Sequence, residues 1–290
     1  MCRVGIIGIE NSHTDHFLRH LNEEQRFPGA RVTAIVRGDA DRVDQLRSRG
    51  PLEVLDSPKD LAGVVDAAIV CSRDGALHPQ QAEPLLQAGI PVLIDKPLAT
   101  TTAEAEALVA GSARAGAQLL SASAVRFTPE ISELTALTDQ VGPLQAVSVT
   151  GPADPDSPYS GIFFYGIHTV ETALLLAGAA DQLPDLERLT VHQEPSAIVA
   201  TTSVGGVLVT MRFVVPDEHG QVPFHAEVVG RHGSGARDLT LGADYNLPLL
   251  TRFMAVVGGE VPQTDGLSLV TPIAVTERIR AQLQQAKELS

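Results

Sequence analysis

The chain has 290 residues, 44% hydrophobic and 19% charged, with 21 Lys and Arg against 35 Asp and Glu for a formal charge of −14. That length holds two ordinary domains, and the hydrophobic share supplies a core, which excludes a disordered body. Net negative charge without a basic patch, and 4% aromatics with no Trp, argue against nucleic acid as a partner.

Only Cys2 and Cys71 are present. They are far apart and outside any metal-ligand spacing, which excludes a disulfide framework and a Cys-based zinc site and fits a reducing compartment. The N-terminus runs straight into an apolar strand with no signal-peptide pattern, and no run is long enough to span a bilayer. The expectation is a soluble, cytoplasmic protein with no membrane partner.

In chain order, residues 4–9 read as an apolar strand, followed by capping residues Asn11 and Ser12 and an amphipathic helix to Leu21. Residues 31–37, 64–71, 91–94 and 118–122 read as further strands, with helices at 40–49, 78–88 and 102–115 between them. Continuous apolar strands alternating with helices predict an α/β fold, a doubly wound parallel sheet with right-handed crossovers. Residues 1–122 are therefore expected to form a dinucleotide-binding (Rossmann) domain.

Beyond residue 122 the rhythm changes. A helix at 167–177 and another at 268–289 accompany strands at 144–150, 189–192, 197–204, 207–215, 223–230 and 238–241. Gly205-Gly206 and the segment His232 to Gly235 read as hairpin turns. Residues 123–290 are expected to form an α+β domain whose mostly antiparallel sheet is open on one face. Self-association through that face is the simplest way to cover it, so a homo-oligomer is expected.

The first strand-to-helix turn is where such a domain cradles a pyrophosphate, with the fingerprint G-x-G-x-x-G. Here the three positions are Gly8, Glu10 and His13. One glycine remains, and Glu10 places an anion where the phosphates approach. Asn11, Ser12 and Thr14 offer side-chain donors in compensation. At the end of the second strand Arg37 stands where an acid usually holds the ribose, so NADP is favoured over NAD. Asp95-Lys96-Pro97 follows the fourth strand, and a Lys at that end of a sheet is well placed to move protons. His13, His16 and His20 recur at helix spacing, but Phe17, Leu18 and Leu21 compete for burial and no metal site is expected.

The series Leu77-His78, Ala88-Gly89 and Val92 to Leu98 through Asp95-Lys96-Pro97 resembles the GFO/IDH/MocA oxidoreductases, whose signature here is E-K-P. The stretch Phe164-Tyr165-Gly166-Ile167-His168-Thr169-Val170-Glu171 is similar to a second motif of that family, D-x-G-x-H-x-x-D, with Phe164 and Glu171 in place of its two acids. The resemblance implies an NAD(P)-dependent oxidoreductase acting on a carbonyl, hydroxyl-bearing or imine carbon of a small, sugar-like or specialised-metabolite substrate. It implies catalysis by Lys96 and His168 with Asp95 beside them. The cofactor would be held by Gly8, Ile9, Glu10, Asn11, Ser12, His13, Arg37, Ser72, Arg73, His78, Lys96 and Pro97. Substrate contacts would come from Lys96, Arg126, Phe164, Tyr165 and His168. The degraded glycine turn and the loss of the motif acid at Phe164 keep an alternative open: a non-redox descendant, a sensor, scaffold or repurposed enzyme with weakened cofactor binding.

Overall fold

Strand β1, Cys2–Ile7, lies at the centre of a sheet because its neighbours are apolar on both faces. Val4, Ile6 and Ile7 are buried. The computed structural model describes residues 1–179 and 182–289. Beside β1 run β2 (Ala30–Val36), β3 (Glu53–Leu55), β4 (Ala67–Val70), β5 (Val92–Ile94) and β6 (Leu119–Leu120), in the order β3-β2-β1-β4-β5-β6. Every pairing is parallel. Ile69, Val92, Leu93 and Ile94 have no exposed surface, as strands covered on both faces require. The strand order reverses direction between β1 and β4, which places the ligand crevice outside their carboxyl ends.

The helices between these strands begin and end on local signals. Helix α1 (His13–Leu18) passes into a π-helical turn at Arg19–Glu23. Helix α2 (Ala40–Arg47) is capped by Asp39, whose carboxylate accepts the Arg42 amide. Helix α3 (His78–Gln87) has Pro79 in its first turn and stops before Gly89, at φ +78°, a conformation glycine adopts without steric cost. Helix α4 spans Thr102–Ala115.

The second sheet contains β7 (Leu144–Pro152), β8 (Thr190–Glu194), β9 (Ala197–Val204), β10 (Val207–Val214), β11 (Phe224–Gly230) and β12 (Ser234–Leu239), ordered β12-β11-β7-β10-β9-β8. All its pairings are antiparallel except β10 with β7. Gly205 and Gly206 both have positive φ in the β9–β10 hairpin, as a two-residue turn of the primed type demands. Burial alternates along β9 and β10: Ile198, Ala200, Val209, Met211 and Phe213 point inward. Helix α5 (Pro129–Thr138) packs on β11 and β12, and helix α6 (Phe163–Leu176) packs on β7, β10 and β11. The opposite face presents Ser148, Thr201, Thr210, Arg212 and Leu208, the last 54% exposed.

Several elements differ from the sequence expectation. Strand β3 and helices α5 and α7 (Leu247–Val257) were not foreseen, and α6 begins four residues before the expected 167. Residues 238–241 were read as a strand, whereas β12 ends at Leu239 and includes part of the expected turn. The last helix, α8, spans Gly266–Leu289.

The chain forms two compact units. One comprises residues 1–99, 103–122 and 246–269; the other comprises 100–102, 123–245 and 270–290. In place of a single boundary at 122/123, the chain crosses several times, and α7 returns to the first unit. Among the described residues no helix is long and apolar enough to cross a membrane.

Candidate functional site

The pairing of Ile7 with Val70 brings the residues that follow β1 and β4 into contact. Gly8 has φ +89°, and a Cβ there would collide with the Ser72 amide and lie 2.5 Å from the Ser72 Cα. Only glycine lets the two strand ends meet this closely. A cleft of about 450 Å³ opens here, lined by Ile7, Gly8, Ile9, Glu10, Val36, Arg37, Gly38, Pro58, Ser72, Leu77, Gln80 and Gln81. Among the described residues the amides of Glu10 and Ser12 make no hydrogen bond, leaving donors on the turn where a pyrophosphate would lie. The glycine cradle and these donors fit a dinucleotide.

Other members of the expected cofactor set are committed within the protein. The Asn11 amide donates to the Cys71 carbonyl at 2.8 Å, and its oxygen accepts the His13 amide at 3.1 Å. Thr14 turns inward to the Gly8 carbonyl and the Cys71 thiol. Both side chains therefore help to build the turn; Thr14 is fully buried, whereas the Asn11 amide keeps a second N–H. Ser12 stays exposed. Glu10 does not project at random: its carboxylate accepts the Arg73 amide at 3.0 Å, tying the first turn to the loop after β4. Ile9 is buried, and its carbonyl accepts the Arg42 Nε at 2.7 Å.

His78 is likewise committed within the protein. It is fully buried, with Nδ1 2.7 Å from the Pro97 carbonyl and Nε2 2.8 Å from the Ser72 carbonyl. Both ring nitrogens are taken by backbone, so His78 ties the Ser72 loop to the segment after β5. The Lys96–Pro97 peptide bond is cis.

Asp95 and Lys96 follow β5 directly, and both are buried. The His13 imidazole reaches the Asp95 carboxylate at 2.8 Å. Burial by itself would raise the Asp95 carboxyl. The His13 charge and hydrogen bond, then Lys96 and His78, more than offset that and hold it below the usual carboxylate range. His13, at the third glycine position, thus lies in direct contact with Asp95. His16 is half-buried; burial, then His13, Arg19 and His20, lowers its ring pKa. His20 is buried against Glu24 at 3.2 Å. Among the described residues no three His, Cys, Asp or Glu side chains are placed to hold a metal ion. The Cys71 thiol is buried, and burial pushes its pKa up, which disfavours the reactive thiolate.

Arg37 lines the cleft, but its Nε is 2.8 Å from Asp56, a residue the sequence reading did not single out. Its signal lay one residue beyond the unforeseen strand β3.

The second unit holds its own buried polar cluster. His168 and Glu171, three apart on α6, share one face of that helix. His168 Nδ1 is 2.6 Å from the Ser123 hydroxyl. Glu171 accepts the Ser123 amide at 2.8 Å and pairs with Arg126 at 3.3 Å. Arg126 is therefore held by Glu171, an interaction within the second unit that competes with its expected role as a substrate anchor. Ser123 was missed: a lone Ser after a strand carries no spacing signal. Around His168 gather Tyr165 at 6.1 Å and Phe224 at 5.5 Å between ring centroids, and Phe164 packs on Tyr165 and Tyr159 at 4.8 and 5.0 Å. Phe164 thus extends an aromatic wall where the family motif has an acid.

Residues 2–123 match the sequence model of an oxidoreductase family with an NAD-binding Rossmann fold, GFO/IDH/MocA. Over 140 residues, 47% of this chain, the sequence is 31% identical to an inositol 2-dehydrogenase of Rhodococcus erythropolis, and the match spans 40% of that protein. Inositol 2-dehydrogenase 1 of Saccharopolyspora erythraea is 28% identical over 258 residues, covering 80% of this chain and 72% of that one. A scyllo-inositol dehydrogenase of Lactobacillus casei, solved with bound NAD(H) and scyllo-inositol, superposes with a TM-score of 0.82 at 14% identity, covering 99% of this chain and 98% of that one. That likeness establishes a shared fold across both units.

Proposed function

We propose that the protein is an NAD(P)-dependent oxidoreductase that transfers a hydride between nicotinamide and a hydroxyl-bearing or carbonyl carbon of a cyclic polyol or other sugar-like molecule. The observation that carries this reading is Lys96, buried directly after β5 in the domain that contains the Gly8 cradle. The relatives named as inositol dehydrogenases support the substrate class.

In this mechanism Gly8 and the Glu10 and Ser12 amides hold the pyrophosphate, and the bound nicotinamide supplies the hydride acceptor or donor. Lys96 accepts the substrate hydroxyl proton as the hydride leaves the same carbon, and returns it in the reverse direction. Asp95 and His78 fix the segment that carries Lys96. Within the second unit, His168, oriented by Ser123, is the candidate proton-handling group. Tyr165 and Phe164 contact the substrate, with Arg126 available only if it leaves Glu171. The unpaired cysteines support a cytoplasmic setting, and the charge of −14 supports neither nucleic acid nor membrane as a partner. The half-exposed face of the second sheet, with Leu208 on it, supports a homo-oligomer.

A second reading, a non-redox descendant, is favoured by the Glu10–Arg73 hydrogen bond, which lays an anion across the turn. Titration of the protein with NADH and NADPH separates the two: micromolar binding supports the oxidoreductase, and no binding at millimolar concentration supports the descendant. With binding in hand, Lys96→Met is expected to lower myo- or scyllo-inositol oxidation by about a hundred-fold or more while cofactor affinity stays within about three-fold. Undiminished turnover would remove Lys96 from the mechanism.

A further inference from the structure

We propose that Asp56 sets cofactor discrimination in this cleft, by holding Arg37 and by opposing a 2′-phosphate. The inference rests on the dinucleotide site proposed above.

Three charged side chains follow β2 in sequence, Arg37, Asp39 and Arg42, and of these Arg37 lines the cleft. Asp39 is turned away, its Oδ1 capping α2 through the Arg42 amide at 3.1 Å. Arg42 is committed inward, donating to the Ile9 carbonyl, Asp15 and Gln45, each at 2.7 Å. Arg37 differs. It lines the cleft, is 58% exposed, and its side chain is held by a single carboxylate, Asp56, itself 81% exposed. The cation suited to a 2′-phosphate thus comes with its own competing anion, delivered by the neighbouring strand.

The two cofactors meet this pair differently. A ribose 2′-hydroxyl is neutral and can donate to a carboxylate, so Asp56 imposes no charge penalty on NADH. A 2′-phosphate must take the Arg37 guanidinium, whose planar donors suit phosphate, and then stands beside the displaced Asp56 carboxylate. Like charges at this range repel, and the repulsion is screened by salt because both groups are exposed. Arg37 alone is therefore an incomplete indicator of cofactor choice; the pair decides it.

The test is fluorescence titration of wild type, Asp56→Asn, Arg37→Ser and the double variant with NADH and with NADPH, at low and at high salt. Both side chains are exposed, so the fold tolerates the changes. Asp56→Asn is expected to tighten NADPH roughly ten-fold, equivalent to about 1.4 kcal/mol, while NADH changes less than about three-fold. The gain is expected to disappear in the double variant and to shrink at high salt. An unchanged NADPH-to-NADH ratio in Asp56→Asn, or equal tightening of both, overturns the inference while leaving the dinucleotide site standing. Failure of every variant to bind either cofactor overturns the site and the inference together.

Discussion

The Ser123 hydroxyl lies 2.6 Å from His168 Nδ1 and also accepts the Val125 amide at 3.2 Å. A hydroxyl has one proton to give, and with Val125 donating to it, both groups are satisfied when Ser123 donates to Nδ1 and the imidazole carries its hydrogen on Nε2. Ser123 thereby selects the tautomer of the candidate proton carrier. Ser123→Ala is expected to lower turnover about ten- to a hundred-fold, the cost of an unpaired buried nitrogen and a loosened ring. Ser123→Thr restores most of it, because the hydroxyl returns. NADH affinity, measured in parallel, stays within about two-fold; a matching loss of cofactor binding would make Ser123 a general structural prop instead.

Gly8→Ala tests the cradle. The substitution adds a Cβ against the Ser72 backbone and places it at φ +89°, so neither the neighbour nor the chain can yield cheaply. Destabilisation of about 3 kcal/mol or more is expected, read by urea unfolding, with loss of NADH binding at sub-unfolding temperature. A stable variant that binds normally would show that the strand ends can separate.

Glu10 offers two separable effects, its charge and its hydrogen bond to the Arg73 amide. Glu10→Gln keeps an acceptor and removes the charge; Glu10→Gly removes both. NADH is expected to bind severalfold more tightly to Glu10→Gln, most of all at low ionic strength where charge is least screened. Glu10→Gly is expected to gain as much or more. Weaker binding in Glu10→Gln would mean the carboxylate itself assists the ligand.

Asp95 makes stability depend on pH in a stated direction. Its carboxyl is held below the ordinary value in the folded chain, so its contribution is complete above about pH 4, the unfolded value. It is lost as pH falls from there through the folded value. Asp95→Asn is expected to destabilise by a few kcal/mol at pH 7, the usual scale for breaking a buried pair, and the gap to wild type should narrow below pH 4. A gap that widens with acid would reverse the assignment.

Much of the first domain was legible because burial on both faces leaves its mark on every residue of a strand: 67–70 and 92–94 are unbroken apolar runs. Strand β3 was not legible. It is three residues long and half-exposed, too short for any period to register, and Asp56 was hidden with it. Helix α6 was expected late because Phe163-Phe164-Tyr165-Gly166 are poor helix formers, overridden here by burial of Phe163 and Gly166. Lys96 and Gly8 were singled out from the sequence because strand ends fix where they sit. The Ser123–His168 and Ser123–Glu171 contacts join residues 45 and 48 apart, and no local pattern encodes such a meeting.

The return of α7 to the first unit has a consequence for how this protein can be cut and recombined. Leu249, Leu250, Phe253 and Val256 of α7 are buried, and the segment 246–269 clusters with the first unit although it follows the whole second sheet in sequence. A gene fragment ending near residue 122 would strip the nucleotide domain of this late helix and bare the surface that it covers. Shuffling such domains between relatives therefore calls for two exchanged segments, one at each end of the second sheet, and a single crossover yields a chain missing part of its own wall.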